Sequence, residues 1–364
     1  MTLLYAGTFL ILTAYIYFMI KFIRSWKNTT DFSFSGETGT LKMTVIIPFF
    51  NEEKNLPELL NSLSDQTLDA DHREYLFIND NSTDSSCRII EEFCRQNANC
   101  KLMHNKGKGK KSALRTGLEA ATGDIIVTTD ADCTFHENRL KTILHFQTET
   151  DPDMIIMPVL MTGHDTFVQR FSNADFLALQ MVTAGSALSG NPLMCNGANL
   201  AFKNTSDDIS LNEKYVSGED MFMLEWMKKN KKKIFWLRSK DVIVRTSSPG
   251  NLKQLISQRS RWISKSGGYR DPTLIFFSLL VFAVNLIMPV ILFTALAIPE
   301  FWPMFGVWFA TKTVIDYSLI RSGFRFFNTY ISFPEFVIMQ LLYPFYMIPV
   351  SVSGLLFPVR WKKK

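Results

Sequence analysis

From Leu274 to Ile298 the chain carries no charged side chain. A helix of that length spans roughly 37 Å, more than the ~30 Å hydrocarbon thickness of a bilayer. Part of this chain is therefore built for lipid. A second apolar segment, Thr2 to Phe22, opens the chain, with Lys21, Arg24 and Lys27 at and just beyond its end. A cleaved leader wants a basic start and a small-residue cleavage site, and neither is present. Residues 1–24 read as an anchor, and the positive-inside rule places the chain beyond it in the cytoplasm. Toward the other end, Trp302 to Ile320 is apolar but carries Lys312 and Asp316, four apart on one helical face and suited to pair inside a bundle. Phe333 to Val359 is apolar with Pro344 and Pro349. Residues 273–359 thus read as two or three membrane helices, followed by a basic tail at 360–364. Three spans would put that tail outside, against the positive-inside preference, so the number stays open.

Between these ends the pattern changes. Residues 25–42 are polar and rich in Gly, Ser and Thr, and read as a linker. From Met43 to about residue 250 short apolar runs end in polar turns: MTVIIPFF, EYLFIND, DIIVTTDAD and DMIIMPVL. Helical stretches follow several of them, such as Glu53–Leu63 and Ser112–Ala121. Alternating strands and helices predict an α/β domain with a mostly parallel sheet covered on both faces. Such sheets bind ligands beyond the carboxyl ends of their strands. The net charge of +5 and pI of 8.8 are too mild for a nucleic-acid partner and suit an anionic membrane surface. The five cysteines form no CxxC pair, so neither a disulfide framework nor a zinc knuckle is expected.

The strand ends carry the chemistry. Ile125–Thr129 delivers Asp130 and Asp132 around a small Ala131, an arrangement that lets both acids approach one hard cation, Mg²⁺ or Mn²⁺, together with a diphosphate. Taken alone, such acids are as often a solvated turn. Lys106, Lys108, Lys110 and Lys111 alternate with glycines ahead of a helix expected near Ser112, a combination that favours an anion. A Walker A loop is excluded, because His104 stands where its first glycine belongs. Pro48, Asn51 and Glu52 end the first strand, and Asp80 and Asp84 the second. Ser82 and Thr83 are candidates to cap a helix. Glu219 and Asp220 follow Gly218 at the start of another helix. QRSRW, residues 258–262, precedes the first C-terminal apolar segment within an interfacial stretch, 251–272.

In order along residues 43–265, the motifs PFFNE, NDNSTD, NKGKGKKSAL, DAD, NGAN, GED and QRSRW resemble glycosyltransferase family 2. The similar subset is membrane-embedded, carries QxxRW and includes ceramide glucosyltransferase and the cellulose, chitin and hyaluronan synthases. The resemblance implies a GT-A fold and an inverting transfer from a nucleotide-sugar, UDP-linked by expectation, to a lipid or saccharide acceptor at the cytoplasmic face of the inner membrane. It implies that Pro48, Glu52 and Asp80 hold base and ribose, that Lys108 or Lys110 meets the nucleotide, and that Asp132 ligates the metal with Asp130 close by. It implies that Asn196, Gly197, Asn199 and Glu219 lie near donor sugar and acceptor, and that Asp220 is the general base. Gln258, Arg261 and Trp262 would complete the machinery. The sequence departs from the family at Asn79 and Asn81, where an acid and a glycine are common. Two enzymes of the same fold are rivals, a small processive polysaccharide synthase and a polyprenyl-phosphate sugar synthase. A non-catalytic membrane scaffold is a rival of another class.

Overall fold

The computed structural model describes residues 2–34, 39–205 and 218–356. Helix α1 (Thr2–Asn28) opens the chain. It runs four residues past the expected end of the anchor, through Lys27, so that part of the expected linker is helical. Four helices follow: α2 (Leu56–Ser64), α3 (Ser86–Gln96), α4 (Lys110–Ala120) and α5 (Arg139–Thr150). After them come α6 (Phe167–Leu188), α7 (Glu219–Lys229) and α8 (Leu252–Ile263). The last three are α9 (Pro272–Ala297), α10 (Trp302–Phe327) and α11 (Phe333–Leu356). The strands are β1 (Met43–Phe49), β2 (Arg73–Asn79), β3 (Cys100–His104), β4 (Ile125–Thr128) and β5 (Cys133–Phe135). They continue with β6 (Met154–Ile156), β7 (Val159–Thr162), β8 (Leu200–Lys203), β9 (Ile234–Trp236) and β10 (Val244–Ser247).

Two compact units emerge. The first is α/β and comprises Thr30–Thr162 and Met194–Ser247. Its main sheet has the order β3-β2-β1-β4-β8-β6-β9. β1, β2, β3 and β4 pair in parallel, and β8 runs antiparallel to both β4 and β6. A smaller sheet has the order β5-β10-β7. Val45, Ile46, Ile47, Phe77, Ile126 and Val127 are fully buried, as a sheet covered on both faces requires. Gly123 turns the chain into β4, where a Cβ would lie 2.7 Å from the Thr44 nitrogen.

The run DMIIMPVL forms two strands rather than one. Pro158 has no N–H to offer a ladder, and beyond it β7 leaves the main sheet to pair with β10. Cys94, in the last turn of α3, and Cys100, which opens β3, form a disulfide with a Cα–Cα distance of 5.0 Å, where the cysteine spacing led to no expectation of a disulfide framework. The turn from helix to strand brings them together, and their spacing has no recognised signature. Ser82 and Thr83 do not cap α3, whose N-cap is Ser85. They bind Asn51 instead: its N–H donates to Ser82 Oγ (3.1 Å) and its Oδ1 accepts from the Thr83 N–H (2.8 Å).

The second unit is helical and takes the residues up to Thr29, Gly163–Leu193, and those from Ser248 on. It therefore claims α6 from the middle of the segment expected to be one α/β domain. Gly7–Asn28, Pro272–Ala297 and Phe333–Leu356 are long and apolar enough to cross a bilayer, which makes this a membrane protein. α10 carries Lys312, Asp316, Arg321 and Arg325 and is less apolar. Lys312 Nζ donates to Asp316 Oδ2 (2.7 Å) and to Gln340 Oε1 (2.8 Å), and Tyr15 Oη donates to Asp316 Oδ1 (2.7 Å). The expected i, i+4 pair is thus one part of a network joining α1, α10 and α11. The basic tail lies outside the described residues.

Candidate active site

Within the α/β unit, the carboxyl ends of β1 and β4 and the first turns of α4 and α7 border a cleft. Pro48, Lys110, Asp130, Gly197, Glu219 and Asp220 line it. Five segments distant in sequence thus converge where an open α/β sheet binds ligands.

Lys110 is the hub. α4 begins at this residue, ahead of the start expected near Ser112, because Gly109 takes φ +88° and turns the chain into the helix. Lys110 Nζ donates to Asp130 Oδ1 at 2.5 Å and lies 3.6 Å from Glu219 Oε1. Burial alone lowers the lysine pKa, but the charges of Asp130, Glu219 and Asp220 and the bond to Asp130 outweigh it and hold the ammonium on. Lys108, by contrast, is exposed on the loop and does not line the cleft. Of the two lysines considered for the nucleotide, the fold brings only Lys110 to this cleft. Asp80 orders the same loop: its carboxylate accepts from the Gly109 N–H at 2.9 Å and from Asn105 Nδ2 at 2.6 Å.

On the other wall, Asp220 stands in the first turn of α7. Its Oδ2 accepts from the Gly197 N–H (3.1 Å) and its Oδ1 from the Met221 N–H (2.8 Å). Glu219 is buried and its Oε2 accepts from the Gly218 N–H at 2.8 Å. Asn196 Oδ1 accepts from the Ala198 N–H (3.0 Å) and so shapes the turn that presents Gly197. Asn199, expected at the sugar, is fully buried instead. Its Nδ2 donates to the carbonyls of Pro158 and Val242, both at 2.7 Å, and its Oδ1 accepts from Arg139 Nη2 at 2.9 Å. It fastens β8 to the neighbouring chain segments and touches no cleft. Arg139, which the sequence did not single out, is buried and has no carboxylate partner among the described residues. Burial drops its pKa to about 10, and its guanidinium sits 4.5 Å from the Phe135 ring centroid.

The acids after β4 differ. Asp130 is engaged by Lys110. Asp132 is exposed to solvent, with Thr246 Oγ1 of β10 donating to its Oδ2 at 3.1 Å. Desolvation by the surrounding walls, and after it the charge of Asp130, raises the Asp132 pKa, although part of the side chain reaches solvent. Glu52, at the end of β1, is raised by burial first, with an opposing bond from Asn55 and further repulsion from Asp132, Asp130 and Asp84. The cluster is therefore short of positive charge on the Asp132 side. Among the described residues no group of three His, Cys, Asp or Glu forms a closed metal cage. The carboxylates of Asp130 and Asp132 are hard oxygen donors of the kind that bind Mg²⁺ or Mn²⁺ together with water and phosphate oxygens.

Gln258, Arg261 and Trp262 are carried by α8, in the helical unit. Gln258 Oε1 accepts from Arg259 Nη1 (2.9 Å), and the Trp262 ring lies 6.0 Å from Phe176.

Residues 44–207 match the model of the family described as glycosyl transferase family 2. The chain is 32% identical over 115 residues to the uncharacterized glycosyltransferase YibD of Escherichia coli (strain K12), covering 32% of this chain and 33% of that protein. It is 35% identical over 95 residues to an undecaprenyl-phosphate 4-deoxy-4-formamido-L-arabinose transferase of Proteus mirabilis (strain HI4320), covering 25% and 29%. The chain thus spans about a third of the length of these curated relatives. Among solved structures it is similar to the mannosyltransferase PcManGT from Pyrobaculum calidifontis in complex with GDP-Man and Mn²⁺. That likeness has a TM-score of 0.57 at 18% identity and covers 98% of both chains. It is a likeness of fold, and the fold of the α/β unit is GT-A.

Proposed function

We propose, on the match of residues 44–207 to the model of glycosyl transferase family 2, that the chain is an inverting, membrane-anchored glycosyltransferase. It moves a sugar from a nucleotide-sugar to a lipid or lipid-linked saccharide at the cytoplasmic face. The observation that carries this reading is the pairing across one cleft of an acid suited to be a base, Asp220, with a cation, Lys110, that also holds Asp130.

In the proposed reaction Asp220 accepts the proton of the acceptor hydroxyl as that oxygen attacks the anomeric carbon. The bond from anomeric carbon to phosphate oxygen breaks, and the nucleoside diphosphate leaves with its electron pair. The Gly197 N–H on Oδ2 orients the carboxylate. Lys110 stands where it can meet charge developing on the diphosphate. Asp132 would hold the divalent cation, with Asp130 close by, and the cation when bound would supply further positive charge to the leaving group. Pro48, Glu52 and Asp80 serve the nucleoside. Arg261, Gln258 and Trp262 are assigned to leaving group and acceptor on the resemblance of QRSRW to QxxRW.

The Proteus mirabilis relative favours a second reading, in which the acceptor is a polyprenyl phosphate. The purified protein, offered UDP-, GDP- and dTDP-sugars with Mg²⁺ or Mn²⁺ and a lipid extract, separates these. A product extracted into the lipid phase supports a lipid acceptor, and its sensitivity to mild acid marks a sugar on a polyprenyl phosphate. A long water-insoluble product makes the chain a polymer synthase. Asp220→Asn is expected to lower transfer by about 10³-fold while donor affinity stays within about threefold. Turnover at the wild-type rate would remove Asp220 from the role of base.

A further inference from the structure

The proposed transfer gives work to Gln258, Arg261 and Trp262 but none to Arg259, which stands between them and is the most buried of the four. Arg259 Nε donates to Asp175 Oδ2 of α6 at 2.8 Å, and each of the two side chains is 6% exposed. Its Nη1 donates to Gln258 Oε1 at 2.9 Å, and its guanidinium carbon lies 4.2 Å from the Trp262 ring centroid. Tyr343 of α11 donates its hydroxyl to the other Asp175 oxygen at 3.2 Å. One planar cation thus uses one edge for a carboxylate, a second edge for the glutamine and a face for the tryptophan. Arginine has this combination of surfaces and lysine does not.

Stability gives this arrangement little reason to exist. A buried ion pair replaced by apolar side chains of similar volume is often as stable or more so. We propose that Asp175 and Arg259 are positioning residues for the transfer: Asp175 fixes the guanidinium, and the guanidinium fixes the amide orientation of Gln258 and the ring plane of Trp262. With Oε1 held by Arg259, the Gln258 amide NH₂ is the end left to donate elsewhere. The inference rests on the reading that α8 serves sugar transfer.

The test compares Asp175→Asn, Arg259→Lys and the double variant Asp175→Leu with Arg259→Met in the full-length detergent-purified protein, following Tm, kcat and the KM for donor and acceptor. Asp175→Asn is expected to lower both Tm and kcat. The double variant is expected to regain Tm to within a few degrees while kcat stays down on the order of tenfold or more, because Gln258 and Trp262 have lost their guide. Arg259→Lys, which keeps the charge but not the fork, is expected to lower kcat with an unchanged KM for donor. A double variant that regains wild-type kcat along with Tm would show the pair to be structural only and overturn the proposal. Should the double variant not regain Tm, Arg259→Lys decides, and wild-type kcat there overturns the proposal equally. Absence of transfer by the wild type in the same assay is a different failure, that of the glycosyltransferase reading itself.

Discussion

Glu52 illustrates what a residue gives up to stand half-buried among other acids just beyond β1. Burial, with repulsion from Asp132, Asp130 and Asp84, raises its pKa despite the Asn55 hydrogen bond. For an acid this sign means that ionisation favours the unfolded chain. The penalty is absent below the ordinary glutamate pKa, where both states are protonated, and complete once the pH exceeds the raised folded value. Glu52→Gln is therefore expected to raise Tm slightly at neutral pH, to lose that advantage near pH 4, and to bind donor less well. Thermal unfolding at the two pH values checks this, and a lower Tm for the variant at neutral pH counts against it. Asp130, Glu219 and Asp220, which line the cleft, could be picked out as candidates in sequence because acids at strand ends and helix starts announce themselves by type and place. Asn199 misled for the same reason. It is a polar residue in a polar turn, and its burial depends on Pro158, Val242 and Arg139, all remote in sequence. Composition cannot separate Lys108 from Lys110. The residue at which α4 begins does so.

At the scale of elements, length decided what was legible. The long apolar helices α1, α9 and α11 were read from hydropathy, and β1, β2 and β4 from their apolar runs. β5, β8, β9 and β10 have three or four residues each and carry no periodic signal of their own. Their pairing partners make them strands. Close helix packing was equally hidden. α6 approaches α1 so nearly that a Cβ on Gly185 would lie 2.4 Å from Phe22 Cβ and 2.7 Å from its Cα. The second of these atoms is backbone and cannot yield by rotation. Gly185→Val is expected to destabilise the helical unit by about 2–3 kcal/mol, read as a lower Tm in detergent. An unchanged Tm would mean that the two helices part without cost.

At the scale of the whole molecule, the helical unit keeps its buried charges in balance. Lys312 and Asp316 offset one another, and so do Arg259 and Asp175. Lys312→Met leaves Asp316 with Tyr15 and Gln340 but no cation, at an expected loss of about 3–5 kcal/mol. Adding Asp316→Leu is expected to recover most of that loss, and thermal unfolding of the single and double variants checks both. The sequence suggested the local pair. It did not reveal that α1 and α11 join in, because that depends on how distant helices meet. Nor did it reveal that the chain leaves the helical unit after Thr29, returns for α6, leaves again after Leu193 and returns at Ser248. This threading bears on how the protein is made. α6 packs on α1, α8 and α10, and only α1 has been synthesised when α6 emerges from the ribosome. At cellular rates of translation the wait for α10 is on the order of ten seconds. Until α8 and then α10 follow, α1 is the one of these three partners that α6 has to pack against.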